Sequence, residues 1–217
     1  MNKTVQQKEI HIPGAVRTAE RVSLSSQIIA SLLIILAGTG LGVLSKWLDM
    51  TAVNELPGFL QALEPAQFFS RFAVWIFAGI VISVYSRTPL RASLNAFLFF
   101  AAMVSAYYLY CYFFAGFYPA DYAMIWFRAV LIIPFAAYVC WFAKGRGISA
   151  VLICALMNGT LLSQAVQLYQ GLSIRYFPDV ILWLASFLIL RRPLREAAVI
   201  TAAGAVIALL LQIFLPY

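Results

Sequence analysis

The sequence predicts an all-α integral membrane bundle of seven transmembrane helices, N-terminus inside and C-terminus outside. Three observations predict it. Hydrophobic residues make up 64% of the 217-residue chain and charged residues only 11%, at a mean hydropathy of +0.90. A soluble domain carries about 25% charged residues, so lipid must be the solvent for most of this surface. The basic residues cluster in alternate short loops, as membrane topology requires. A five-residue turn, Arg-x-Pro-Leu-Arg, occurs as Arg87-Thr88-Pro89-Leu90-Arg91 and again, 104 positions later, as Arg191-Arg192-Pro193-Leu194-Arg195.

In chain order, residues 1–24 are polar and mixed in charge and are expected to form a cytoplasmic tail, with a short interfacial helix after Pro13-Gly14. The acids in this lead argue against a signal peptide. The first apolar helix is expected at 25–45, where Gly38 and Gly42 share one face and permit close helix approach. Residues 46–69 form the longest connection, with a turn or two of amphipathic helix at 57–63. Further helices are expected at 69–85, 92–114, 122–143, 148–169, 178–190 and 196–215. The second and sixth are short for a span of about 20 residues, and Arg71 and Arg175 at their starts can snorkel to extend them.

With the N-terminus inside, eleven of the fifteen Lys and Arg residues fall inside, and five of the eight acids fall outside. Removing the sixth helix would place Arg191 to Arg195 outside, so the charges themselves favour seven spans. The offset of 104 also aligns Arg71 with Arg175 and Phe72 with Tyr176. It pairs helices 2–3 with helices 6–7, in the same orientation. The expected organisation is a single membrane domain over 25–217. It comprises a first repeat (25–114), a linking helix with its loops (115–147) and a second repeat (148–217). Helix 1 matches helix 5 only at Gly38-Thr39 against Gly159-Thr160.

This parallel three-plus-one-plus-three layout looks like that of the SWEET sugar facilitators, by architecture alone, and implies a substrate path between the halves. The stretch from Leu41 to Gly147, including Ser83-Val-Tyr-Ser-Arg-Thr-Pro-Leu-Arg91 and Trp141-Phe-Ala-Lys-Gly-Arg-Gly147, resembles an uncharacterised family of bacterial polytopic membrane proteins. That resemblance implies a multi-pass protein of the bacterial cytoplasmic membrane and brings no activity.

The chemistry-bearing residues are few. His11 is the only histidine and no Asp or Glu lies mid-span, so there is no base or metal shell for catalysis. No enzyme activity, cofactor or metal is expected. Cys111, Cys140 and Cys154 all lie in apolar runs and suggest buried thiols, not disulfides. Arg128, two turns into the fourth helix, is either an anion-binding or pairing residue facing a cavity, with Asp121 or Asp179 as partner, or a snorkelling side chain. Thr160, Ser163, Gln164, Gln167 and Gln170 fall on one third of the fifth helix, opposite Asn158. They either line a polar substrate site or bond neighbouring helices. Tyr108, with Ser105 and Tyr112, lies on a face that is either an aromatic pocket wall or an interfacial belt. The Arg-x-Pro-Leu-Arg turns are either topology anchors in anionic headgroups or a pair of pseudo-symmetric gates.

The expected function is a small-molecule transporter or facilitator, its substrate held by Arg128, Thr160, Ser163, Gln164, Gln167 and Tyr108. The alternatives are a non-transporting scaffold or regulatory subunit of a membrane complex, and a sensor with an external pocket. The expected partners are the lipid bilayer, a small-molecule ligand and a membrane partner protein. Nucleic acid is excluded, because the net charge of +7 is spread over short loops between apolar runs.

Overall fold

The computed structural model describes residues 17–19, 23–169 and 171–215. The expected tail helix after Pro13-Gly14, the side chain of Gln170 and the last two residues lie outside these. Among the described residues the structure is all-α apart from one two-stranded hairpin. Its helices are α1 (Leu24–Met50), α2 (Gly58–Leu63), α3 (Pro65–Ser70), α4 (Phe72–Tyr85), α5 (Pro89–Tyr110), α6 (Ala120–Trp141), α7 (Ile148–Ala165), α8 (Phe177–Leu190) and α9 (Leu194–Phe214). Five of them, α1, α5, α6, α7 and α9, are long and apolar enough to cross a membrane. A sixth span exists if Gly58–Ser70 and α4, which meet at 73°, count as one bent unit. At 14 residues, α8 is shorter, rising about 21 Å against a hydrocarbon core of about 30 Å.

Local chemistry sets the helix ends. Ser23 caps α1 by accepting from the Ser26 N–H at 3.4 Å, and Thr88 caps α5 by accepting from the Arg91 N–H at 3.1 Å, with Pro89 in the first turn. After α5 the chain widens into a π turn over Cys111–Ala115, and Gly116 ends it in the left-handed region at φ 71°. The fifth helix is expected to run to residue 169, but α7 stops at Ala165. There the chain turns into a hairpin pairing Val166 with Ile174 and Gln167 with Ser173. Gln212 on α9 fixes that exit. Its Oε1 accepts from the Leu168 and Tyr169 N–H groups, and its Nε2 donates to the Ser163 and Val166 carbonyls.

The packing pairs helices that are not neighbours in sequence. α1 lies parallel to α5: Gly38 sits on the Phe99 backbone and Gly42 on the Met103 backbone. α7 lies parallel to α9, with Gly159 on Gly204. These are the close contacts that small residues allow between apolar helices. α4 packs on α5, α6, α7 and α8 and so runs through the middle of the bundle. The outward faces stay apolar: on α1 alone, Leu24, Ile28, Ile29, Leu32, Leu33 and Leu36 are all more than half exposed. That is the surface of a helix whose solvent is hydrocarbon.

Candidate functional site

Two helical stripes facing each other leave a space. On α4 the stripe is Phe72, Trp75, Ile76, Gly79, Ile80 and Ser83; on α6 it is Trp126, Ala129, Ile133, Ala136, Ala137 and Cys140. Both follow the three- and four-residue spacing of one helix face. The small members, Gly79, Ala129, Ala136 and Ala137, leave the volume unfilled. The result is a cavity of about 590 Å³, floored by α5 and edged by Leu156, Met157 and Thr160 of α7. Along α4 it extends from Phe72 to Ser83, about 16 Å of helix.

The wall is apolar and aromatic, and Asp49 is the one charged side chain among the lining residues. It stands at the end where α1 finishes. The Tyr107 hydroxyl donates to Asp49 Oδ2 at 2.5 Å, and Lys46 Nζ lies 3.7 Å from the same oxygen. Lys46 in turn sits over the Tyr107 ring, 5.1 Å from its centroid.

Beyond the opposite end, Arg17 bridges two helix ends. Its guanidinium donates to the Trp141 carbonyl at 2.7 Å and the Val84 carbonyl at 3.0 Å. These residues directly follow the lining residues Cys140 and Ser83. The guanidinium also stacks 4.2 Å from the Trp141 ring centroid, and Trp141 Nε1 donates to the Ser86 carbonyl at 2.8 Å. One cation thus satisfies carbonyls at the C-terminal ends of α4 and α6 together, which helix C-termini favour. Arg192 makes the same kind of cap on the Ala143 and Gly145 carbonyls. Arg17→Ala is expected to cost about 2 kcal/mol, the loss of hydrogen bonds to a charged donor. Thermal unfolding of the purified protein reads it, and Arg17→Lys should restore little, because a point charge cannot span both carbonyls.

No protein-family model, no curated protein and no solved structure matches the chain. The facilitator-like layout and the bacterial-family resemblance therefore rest on the residues that suggested them.

The residues expected to hold a substrate separate into distinct places. Tyr108 and Thr160 line the cavity. Ser163 and Gln164 are buried in α7 away from it; the Ser163 hydroxyl donates to the Thr160 carbonyl, and the Gln164 carbonyl accepts from Arg71. Gln167 leaves the helix and accepts from the Arg175 guanidinium through its Oε1. Arg128 is exposed on α6, beside the lining residues Ala129 and Val130 but not among them. Among the described residues, no group of three His, Cys, Asp or Glu side chains could hold a metal.

One feature was not expected. Asp179, the third residue of α8, is fully buried, and its Oδ2 accepts from Arg71 Nε at 2.5 Å. One reading of Arg128 pairs it with Asp121 or Asp179, but Asp179 is held by Arg71. Arg71 takes it because α4 and α8 start side by side, which brings the residue before α4 directly onto the first turn of α8. Arg71 also donates to the Gln164 carbonyl at 3.2 Å and stacks 4.9 Å from the Tyr176 ring centroid. The pair joins α4, α7 and α8 at one point. In the sequence each of the two residues stands near the start of an expected apolar helix.

Proposed function

We propose that the chain is a transporter or facilitator that moves an apolar or amphipathic small molecule through a chamber between two parallel three-helix units. In this reading α1, α4 and α5 form one unit, α7, α8 and α9 the other, and α6 links them. Seven spans cross a bacterial cytoplasmic membrane, N-terminus inside and C-terminus outside. The observation that carries it is the cavity of about 590 Å³, whose walls come from the first unit, the linker and α7. A scaffold has no need of a space that size. The lining favours a hydrocarbon-rich substrate over a sugar, because a polar solute would find few partners for its hydroxyls there.

The repeat is supported independently of the turn motif. Shifted by 104 positions, α4 and α5 would run 176–189 and 193–214, against 177–190 and 194–214. The close crossing of Gly38 on Phe99 has a counterpart in Gly159 on Gly204, within one position of the same offset on the second helix. The Arg71–Asp179 pair then joins the starts of two equivalent helices, where pseudo-symmetry brings the units together.

Ala136→Trp tests the reading. Ala136 lies on the exposed rim of the cavity, so an indole there enters the chamber without displacing core residues. Transbilayer movement of a fluorescent long-chain amphiphile into vesicles containing the wild-type protein is expected to exceed that into protein-free vesicles. The variant should lower the rate about tenfold, the effect of about 1.4 kcal/mol of steric obstruction, with its melting temperature unchanged. Wild-type vesicles no faster than empty ones would leave the transport reading without support and favour the scaffold.

A further inference from the structure

The chamber between α4 and α6 changes character along its length. At the end where α1 finishes, the lining is aromatic: Phe69 on α3, Trp75 on α4, Tyr107 and Tyr108 on α5, and Tyr122 and Trp126 on α6. Farther in, the lining of α4 from Gly79 onward and that of α6 from Ala129 onward carry no ring. We infer that the chamber takes a cationic amphiphile, its organic ammonium head among the rings beside Asp49 and its hydrocarbon body along α4 and α6. This substrate class rests on the transport reading for the movement of the molecule, and on the lining alone for its binding.

Three observations converge on that chemistry. The face of an aromatic ring is the negative side of its quadrupole and attracts ammonium groups. The rings hold one another in place: centroids lie 5.8 Å apart for Phe69 and Trp75, 5.2 Å for Tyr107 and Tyr108, and 6.1 Å for Tyr122 and Trp126. Trp75 Nε1 is spent on the Phe69 carbonyl at 2.9 Å, so the indole offers its ring and not its N–H. The second observation is charge. Asp49 is the one charged side chain in the lining, and it is an anion. Its Oδ2 accepts from Tyr107 and faces Lys46, while its Oδ1 has no partner among the described residues. The third is that the chain's own ammonium already uses this combination. Lys46 Nζ lies 5.1 Å from the Tyr107 ring centroid, 5.9 Å from that of Phe117 and 3.7 Å from Asp49 Oδ2. Lys46 does so without lining the chamber.

Other heads fit the wall less well. No Lys, Arg or His is among the lining residues. Arg71 stands between the lining residues Ser70 and Phe72 but is committed to Asp179, and Arg128 is exposed on α6 outside the lining. An anionic head would therefore meet a carboxylate with no cation in the wall to offset it, and a neutral head would leave the free carboxylate oxygen unused. The hydrocarbon body has its own place. From Trp75 to Ser83 the wall of α4 extends about 12 Å, and α6 faces it with Ile133, Ala137 and Cys140. A cavity of about 590 Å³ is within the usual range for enclosing a small molecule of this kind.

The test compares three amphiphiles that share an octyl tail and differ in the head: octyltrimethylammonium, octanol and octyl sulfate. Each is titrated by calorimetry into the full-length protein in a maltoside detergent, which carries no charge of its own. Octyltrimethylammonium should bind about tenfold more tightly than either of the others. Asp49→Asn should weaken that binding about fivefold and leave octanol unchanged. Lys46→Gln should tighten it about threefold, because it removes a like charge from the same carboxylate. Ala136→Trp should weaken it about tenfold, which places the ligand in the chamber. Equal binding of the three amphiphiles would overturn the inference. So would wild-type affinity for the cation in Asp49→Asn, or a loss in Lys46→Gln as large as that in Asp49→Asn. Melting temperatures of the variants in the same detergent separate lost binding from lost folding. Cation-selective binding without movement of the long-chain amphiphile into vesicles would keep this assignment and remove the transport reading; movement without cation selectivity would do the reverse.

Discussion

Gly42→Ala is expected to destabilise the protein by about 2 kcal/mol or more, and Gly40→Ala, two positions away, to leave it unchanged or slightly firmer. A methyl on Gly42 would come within 3.0 Å of the Met103 carbonyl oxygen, while one on Gly40 meets nothing within 4 Å. The obstacle at Gly42 is backbone, which no rotamer change can move aside. α1 and α5 must separate, and overpacking of this kind costs about 1–3 kcal/mol, sometimes more. Alanine also favours the helix over glycine by up to about 1 kcal/mol. That gain is common to both sites, so the difference between them isolates the helix crossing. Gly38→Ala should behave as Gly42→Ala, since its methyl would press on the Phe99 carbonyl. Melting temperatures of the variants in nanodiscs decide it. If Gly42→Ala and Gly40→Ala melt together, the parallel approach of α1 and α5 is wrong.

The second large effect belongs to the ion pair between the starts of α4 and α8. Arg71→Ala leaves the Asp179 carboxylate fully buried without its cation; Asp179→Ala leaves a guanidinium whose side chain is only 24% exposed. Breaking a buried pair by removing one partner costs about 3–5 kcal/mol, because a charge remains without compensation. The double variant removes both charges and should lose clearly less than the sum of the two singles. Asp179→Asn should be milder than Asp179→Ala, since an amide oxygen still accepts from the guanidinium. Thermal unfolding of the four proteins completes the cycle. Additive losses below about 1 kcal/mol each would mark the pair as an ordinary surface contact.

The helices themselves were legible in the sequence, because each is an uninterrupted apolar run bounded by Pro, Gly or charge. α4, α5, α8 and α9 fall within a few residues of expectation. The site was less legible. Arg128 drew attention because charge in an apolar helix is conspicuous, yet it is exposed and the cavity is walled by its quiet neighbours. α6 is apolar on nearly every face, so hydrophobic periodicity does not tell which side looks inward. The informative pattern was subtraction: Ala129, Ala136 and Ala137 opposite Gly79, small residues at helical spacing where larger ones would have filled the gap. The polar stripe on α7 was seen but its extent was not, because a hairpin interrupts the helix before Gln167 and glutamine on a distant helix secures the turn. Arg71 and Asp179 are 108 positions apart, so no local spacing signals their contact.

α1 packs most closely on α5, and α7 on α9, each pair running in the same direction. For a nascent chain this ordering has a kinetic meaning. α1 leaves the ribosome long before α5 exists, so its Gly38 and Gly42 face must wait in the bilayer with no surface to meet. The wait ends only once α4 and the Arg87–Arg91 turn have been made. A truncation ahead of Pro89 therefore strands a helix whose partner is never synthesised, and the shortest fragment able to complete the α1–α5 contact ends beyond Met103. Quality control acting on orphaned helices would meet this protein earliest at its glycines.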